Sequence, residues 1–229
     1  MDFSLVLKNF PIILAGFDET ILLVIISLSS GFLISIFFAL ARTSKYKWLS
    51  NIIYSYIFVI RGTPLLVQIY LIYFGLGSIK AVRESIFWII LKEPFYCGIL
   101  ALVINTVAYT TEIIRGGLES ISLGQKEACK SLGMNKFIMY YKIILPVAFR
   151  QALPAYGNEM ILMVKATSLV SLTTYMEMTG IARNIMAKTF APIEAFIAAG
   201  TIYLLLNFIV VQFIKYLEWK YNPHLRLKA

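Results

Sequence analysis

Five runs of about twenty apolar residues constrain this chain more than any other feature, because a helix needs roughly that length to cross the hydrocarbon core of a bilayer. They fall at approximately 20–41, 52–77, 94–114, 154–172 and 195–217. Composition agrees: 59% of the 229 residues are hydrophobic and 14% charged, whereas about 25% is charged in an ordinary soluble domain. The expected fold class is therefore an all-α membrane protein, one transmembrane domain over residues 1–229. Trp48, Tyr96, Tyr216 and Trp219 lie near the expected helix ends, as in an aromatic belt at the lipid–water boundary.

The first seventeen residues are too weakly basic, and too poor in small residues before a cleavage point, for a removed signal peptide. Phe3, Leu5, Val6, Phe10, Ile12 and Ile13 fit a short interfacial helix ahead of Asp18 and Glu19, with a frayed terminus as the alternative. Cys97 and Cys129 are expected on opposite sides of the membrane, so no disulfide follows. The chain has no repeat of a period that would indicate a solenoid and no metal-type Cys/His cluster.

Loop charges choose the orientation. One face carries thirteen basic residues: Arg42, Lys45, Lys47, Arg115, Lys126, Lys130, Lys136, Lys142, Arg150, Lys215, Lys220, Arg226 and Lys228. The other carries six: Lys8, Lys80, Arg83, Lys92, Arg183 and Lys188. Cytoplasmic loops hold the Lys/Arg excess, which places the amino terminus outside and the carboxyl terminus inside. The formal charge of +9 is thereby mostly orientation; spread along a membrane face, it argues against a nucleic-acid partner.

Arg61, Glu112, Glu159 and Lys165 fall within or at the ends of the apolar runs, where a charge is costly and calls for a partner or a function. Arg61 opens Arg61-Gly62-Thr63-Pro64, a sequence that breaks the helical ladder and frees backbone groups to face a cavity; a simple proline kink is the alternative. Asn105, Tyr109 and Glu112 recur at i, i+4 and i+7 and share a helix face that packs inward or lines a pathway. For Glu112 the other reading is a pair with Arg115, one turn later. Asn158 and Lys165 share a face, whereas Glu159 and Lys165 lie about 120° apart, so each needs a partner elsewhere. Arg61 for Glu159 and Glu112 for Lys165 are the available guesses. Thr167 and Ser168 follow Lys165 directly.

The longest cytoplasmic stretch, approximately 115–153, contains GQKEACKSLGMNKFIMYYKIILP. It reads as a helix through Glu127, Ala128 and Cys129, a turn at Gly133 with positive φ, and a second helix from about Asn135 that ends before Pro146. The positions Glu127, Ala128, Gly133, Ile143, Leu145 and Pro146 resemble the EAA loop of ATP-binding-cassette importer permeases, with Cys129 where alanine is usual. The resemblance implies that residues 120–146 form the coupling helix that docks on an ATPase subunit. No G-x-x-x-x-G-K-[ST] occurs, so no phosphate loop of that kind exists in this chain.

The wider chain is similar to the polar amino-acid branch of these permeases, the group that includes histidine and basic amino-acid systems. The matching pieces are Arg61 to Leu65 with Gln68, Asn105 to Gly117, the loop from Glu127 to Pro146, and Gly157-Asn158-Glu159 leading to Lys165-Thr167-Ser168. Ala166 departs from the Asp or Asn common there. The resemblance implies a non-enzymatic, multi-pass permease of the bacterial inner membrane, with no cofactor of its own. It also implies two ATPase subunits holding ATP-Mg, a second permease chain, an extracytoplasmic binding protein and an amino-acid cargo, leaning toward histidine, lysine or arginine. Arg61, Thr63, Asn105, Tyr109, Glu112, Asn158, Glu159, Lys165, Thr167 and Ser168 are the expected pathway residues. The alternatives are a secondary transporter, against which the absence of a halving repeat argues, and a membrane assembly subunit without ATPase coupling.

Overall fold

The computed structural model of the protein describes residues 3–222, and every regular element among them is helical. Arg226 and Lys228, used above for orientation, lie outside the described residues. In chain order the elements are α1 (Phe3–Leu14), α2 (Phe17–Arg42), α3 (Lys47–Gly62), α4 (Leu65–Ser78), the short α5 (Lys80–Arg83) and α6 (Trp88–Leu91), and α7 (Pro94–Glu119). Then follow α8 (Leu123–Ser131), α9 (Lys136–Met139), α10 (Leu145–Ala166), α11 (Met178–Thr189) and α12 (Pro192–Tyr221). A π turn, Tyr140–Ile144, joins α9 to α10, and a 3-10 segment, Thr167–Thr173, continues α10.

Local chemistry accounts for the boundaries. Asp18 and Glu19 in the first turn of α2, and Arg42 in its last, complement the helix dipole. Pro94 and Pro192 open α7 and α12, where a missing N–H costs nothing. Pro64 forces Thr63 into extended backbone (φ −117°, ψ 143°), and the axes of α3 and α4 diverge by 104° across that break.

The elbow differs from expectation in one respect: its second helix does not end before Pro146. Because Pro146 has no N–H to give Lys142, the backbone widens into the π turn, Leu145 N–H bonds to the Tyr140 carbonyl, and the helix runs on as α10.

Among the described residues three helices, α2, α7 and α12, are long and apolar enough to cross a membrane, and the bent α3–α4 pair makes a fourth if it counts as one span. The expected run at 154–172 becomes the second half of α10 and the 3-10 segment. Arg150, Gln151, Asn158, Glu159 and Lys165 keep α10 below the same apolar standard. The chain is thus a multi-pass membrane protein whose fourth expected span is a polar helix packed against α7 and α12.

The core lies where α2, α7, α10 and α12 meet, with Leu23, Leu28, Leu102, Met163, Val164, Ala198 and Ile202 buried in it. Small residues bring α2 and α7 close: a Cβ on Gly31 would stand 2.5 Å from Thr106 Cγ2, so Gly31 is what permits the contact. The helix expected near the amino terminus is present as α1. It does more than lie at an interface, since Ile13 is fully buried and Val6 and Phe10 pack on the core as α1 docks on α11 and α12. Both cysteines are free and buried.

Candidate functional site

The break between α3 and α4 opens one wall of a cavity of about 520 Å³, with α7 and α10 forming the others. Arg61, Gly62, Thr63 and Pro64 line it from the break, Asn105 and Tyr109 from α7, and Glu159, Met163 and Ala166 from α10. Five of the expected pathway residues, Arg61, Thr63, Asn105, Tyr109 and Glu159, therefore converge on one space.

Gln68 holds the break open in a defined shape. Its Nε2 donates to the Ile60 carbonyl (2.8 Å), to Thr63 Oγ1 (2.9 Å) and to the Thr63 carbonyl (3.1 Å), and its Oε1 accepts from Asn105 Nδ2 (3.3 Å). These bonds replace ladder bonds that the extended Thr63 and Pro64 cannot make. Gln68 is only 6% exposed, so the arrangement is internal to the fold rather than solvated.

The two charges in the cavity are differently held. Arg61 is exposed and its guanidinium carbon stands 5.0 Å from the centroid of the Tyr109 ring. Glu159, 5% exposed, accepts from Thr106 Oγ1 at 3.3 Å. Each has a neutral neighbour and faces the shared space.

Five expected pathway residues lie elsewhere, and the expected pairing of Glu112 with Lys165 is not formed. Glu112 does not reach Lys165: it pairs with Arg115 (Nη2 to Oε2, 2.7 Å) and with Arg42 (Nε to Oε1, 3.5 Å), while Arg115 also holds Glu119. Lys165 lies on another side of α10, because residues 159 and 165 are about 120° apart on a helix. There Lys165 and Ser168 line a groove of about 680 Å³ against α12, together with Thr179, Tyr203 and Asn207. Thr167 is buried and donates to the Val164 carbonyl at 2.7 Å. Asn158 is exposed and outside the cavity.

Sequence reasoning missed three groups. Thr106, the donor to Glu159, was hidden by sitting beside Asn105 but on another face of α7. Arg42 was read only as an orientation charge. Glu177, fully buried, caps α11 by accepting from Gly180 N–H (2.9 Å), accepts from Tyr203 Oη–H (2.6 Å) and lies 3.5 Å from Thr20 Oγ1. Burial pushes its carboxyl above the usual range, against the hydrogen bonds that would lower it.

The elbow residues occupy a compact projection. Ser122 and Gln125 form a reciprocal capping box at the start of α8, Gly133 adopts φ +71°, and Asn135 caps α9 through Ile138 N–H at 2.8 Å. Ile121, Cys129, Met139, Ile144 and Ala148 make a small core of their own, with Ile143 packed against it. Glu127, Ala128, Gly133 and Leu145 are exposed, Pro146 half-buried. Leu132 and Phe137 add exposed apolar surface at 76% and 78%.

A bundle of membrane helices with a broken helix at a charged cavity, and a self-supporting helical elbow at one end, defines a permease-type transport subunit. The chain belongs to the family of binding-protein-dependent transport system inner membrane components, which it matches over residues 31–222. It is 47% identical to the nopaline transport system permease protein of Agrobacterium fabrum, covering 100% of this chain and 95% of that protein. It is 36% identical to the histidine/lysine/arginine/ornithine transport system permease protein of Escherichia coli, covering 92% and 89%. Among solved structures, an amino acid ABC transporter crystallised with histidines superposes with TM-score 0.85 at 35% identity, over 96% of this chain and 99% of that one. A methionine ABC transporter in an inward-facing conformation shares the fold at 13% identity, TM-score 0.73, over 94% and 98%.

Proposed function

We propose that this chain is a five-span permease subunit of the bacterial inner membrane, amino terminus outside, that carries a polar amino acid with a cationic side chain. The observation that carries the reading is the pairing of Arg61 and Glu159 across one cavity, each next to a neutral partner. A free amino acid brings a carboxylate and an ammonium, and a basic one brings a second cation. Arg61 complements the carboxylate and Glu159 the cation, with Asn105 and Thr63 offering neutral hydrogen bonds. Relatives whose names refer to nopaline, octopine, arginine, and histidine/lysine/arginine/ornithine support that cargo class. The fifth crossing is α10, which turns Glu159 to the cavity.

The elbow around α8 is the coupling helix in this reading. Its capping box, Gly133 turn and private core let it move as one body, and its exposed Glu127, Ala128, Leu132 and Phe137 suit a groove on a soluble partner. Two ATPase subunits bind ATP-Mg and pull two such elbows, one from this chain and one from a second permease, so that the cavity alternately faces an extracytoplasmic binding protein and the cytoplasm. The chain itself does no covalent chemistry.

The test is ATPase activity of the reconstituted complex with the binding protein and a panel of amino acids. Stimulation by arginine, lysine or histidine that Glu159→Gln abolishes is the expected result; equal stimulation by neutral or acidic amino acids would overturn the cargo assignment. Scrambling residues 127–133 is expected to abolish association with the ATPase, and undiminished association would overturn the coupling role.

A further inference from the structure

The fifteen residues between α4 and α7 carry a feature that transport does not use. Ile86, Phe87, Trp88, Ile89, Ile90 and Leu91 are six consecutive large apolar residues in a connection between two membrane-crossing helices, and Ile86, Phe87, Ile89 and Ile90 are exposed at 78%, 67%, 67% and 50%. A contiguous apolar patch of this kind in a connecting segment marks an interaction surface.

Its position selects the occupant. The Trp88 ring lies over Gly77, where an added Cβ would meet it at 3.4 Å, and α6 packs against the start of α7. The segment is therefore held down at the ends of its two flanking helices and cannot rise away from them as a free loop would. Trp88 and Leu91 turn toward the protein while the four exposed side chains turn away from it. Upstream, Lys80 and Arg83 are exposed, with Glu84 3.7 Å from Lys80, and Lys92 follows directly. An apolar run between the ends of two apolar helices, an indole within it and basic residues on both sides form the pattern of an interfacial anchor.

We propose that residues 86–90 insert into the bilayer leaflet next to the ends of α4 and α7, with Lys80, Arg83 and Lys92 at the phospholipid headgroups. The anchor pins the half of the broken span that follows Pro64, giving α4 a fixed lipid-side end while the break at Thr63 stays beside the cavity.

The assembled complex in phospholipid nanodiscs provides the test. Nitroxides are placed at Ile86→Cys, Ile89→Cys and, as a water-facing reference, Glu84→Cys, with Cys97 and Cys129 replaced by serine. Collision with oxygen several-fold above collision with a water-soluble nickel chelate at Ile86 and Ile89, reversed at Glu84 and unchanged by the binding protein, is the expected result. Dominant access to the chelate at Ile86 and Ile89 overturns the proposal. So does chelate access that the binding protein removes, which would make the patch a docking face, or exclusion of both probes, which would bury it against a second permease. The unmodified complex gives a second reading: a lipid-borne carbene should label residues 86–90, and absence of label there would overturn the proposal even if the cysteine variants fail to assemble. Lipid exposure is read without reference to cargo or to sidedness, so its failure leaves the importer reading standing.

Discussion

The amide nitrogen of Gln68 stands 2.8 Å from the carbonyl oxygen of Ile60, spanning a gap of eight residues across a break that the backbone cannot bridge by itself. Thr63 and Pro64 interrupt the ladder, and Gln68 supplies the missing donor from the far side while tying the break to Asn105 on α7. A helix bent by 104° is in this way a built feature of the cavity wall, not a weak point.

Replacing Gln68 by Leu keeps the volume and removes the donors. The Ile60 carbonyl and Asn105 amide then lose their partners in a nearly dry site, at a cost of about 1–3 kcal/mol. Thermal unfolding in detergent should show a clear drop for Gln68→Leu and one at least as large for Gln68→Glu, which keeps an acceptor for Asn105 but sets a buried carboxylate oxygen against the Ile60 and Thr63 carbonyls. Transport should fall in both, since the bend positions Arg61.

Glu112, one of the expected pathway residues, is held in ion pairs outside the cavity. It neutralises Arg42 from α2 and Arg115 from its own helix, all three only 17–26% exposed at the side chain. Glu112→Gln takes the carboxylate from Arg42, while Arg115 keeps Glu119. The expected loss is about 2 kcal/mol, less than for a fully buried pair because solvent still screens these groups. Adding Arg42→Gln should recover part of the loss in a double-mutant cycle of thermal unfolding. Cargo preference should be unchanged, which separates this cluster from Arg61 and Glu159.

Much of this was legible beforehand for definite reasons. A proline after Arg61-Gly62-Thr63 announces a break wherever it falls, and the i, i+4 spacing of Asn105 and Tyr109 put both on one helix face, left open between inward packing and a pathway, which in the structure borders the cavity. The elbow was legible because Gly133 and Asn135 are local signals. What stayed hidden were relations between helices: Glu112 and Lys165 look like partners in a charge tally, but the side of α10 on which Lys165 lies is set by packing against α12. Gln68 and Thr106 carry no formal charge and so raised no question about partners, although both define the site.

Glu177 ties the start of α11 to Tyr203 on α12 and lies beside Thr20 on α2. Its carboxyl pKa is raised by burial. The folded protein thus holds this proton more tightly than the unfolded chain does. The contribution to stability is complete below the ordinary glutamate value of about 4.3 and is lost as pH rises through the higher folded value. The melting temperature should therefore decline over that window more steeply in the wild type than in Glu177→Gln, which stays neutral and can still accept from Tyr203. Parallel pH profiles for the two proteins would show that another group controls the decline.

Two glycines in the elbow separate conformational strain from packing. An added Cβ meets nothing within 4 Å at either Gly124 or Gly133, so neither substitution by alanine creates a clash. Gly124 lies within α8 at negative φ, where alanine is the better helix former by up to about 1 kcal/mol. Gly133 sits at φ +71°, where alanine is strained by about 1–2 kcal/mol. Gly133→Ala should loosen the turn between α8 and α9 and undo the private core formed by Cys129, Met139 and Ile144. Hydrogen exchange over 123–145 should therefore quicken in Gly133→Ala and stay level or slow in Gly124→Ala. If the elbow transmits motion as one body, amino-acid-stimulated ATPase activity should fall several-fold with Gly133→Ala alone. Equal activity in both variants would mean that the rigidity of this turn is not what carries the coupling.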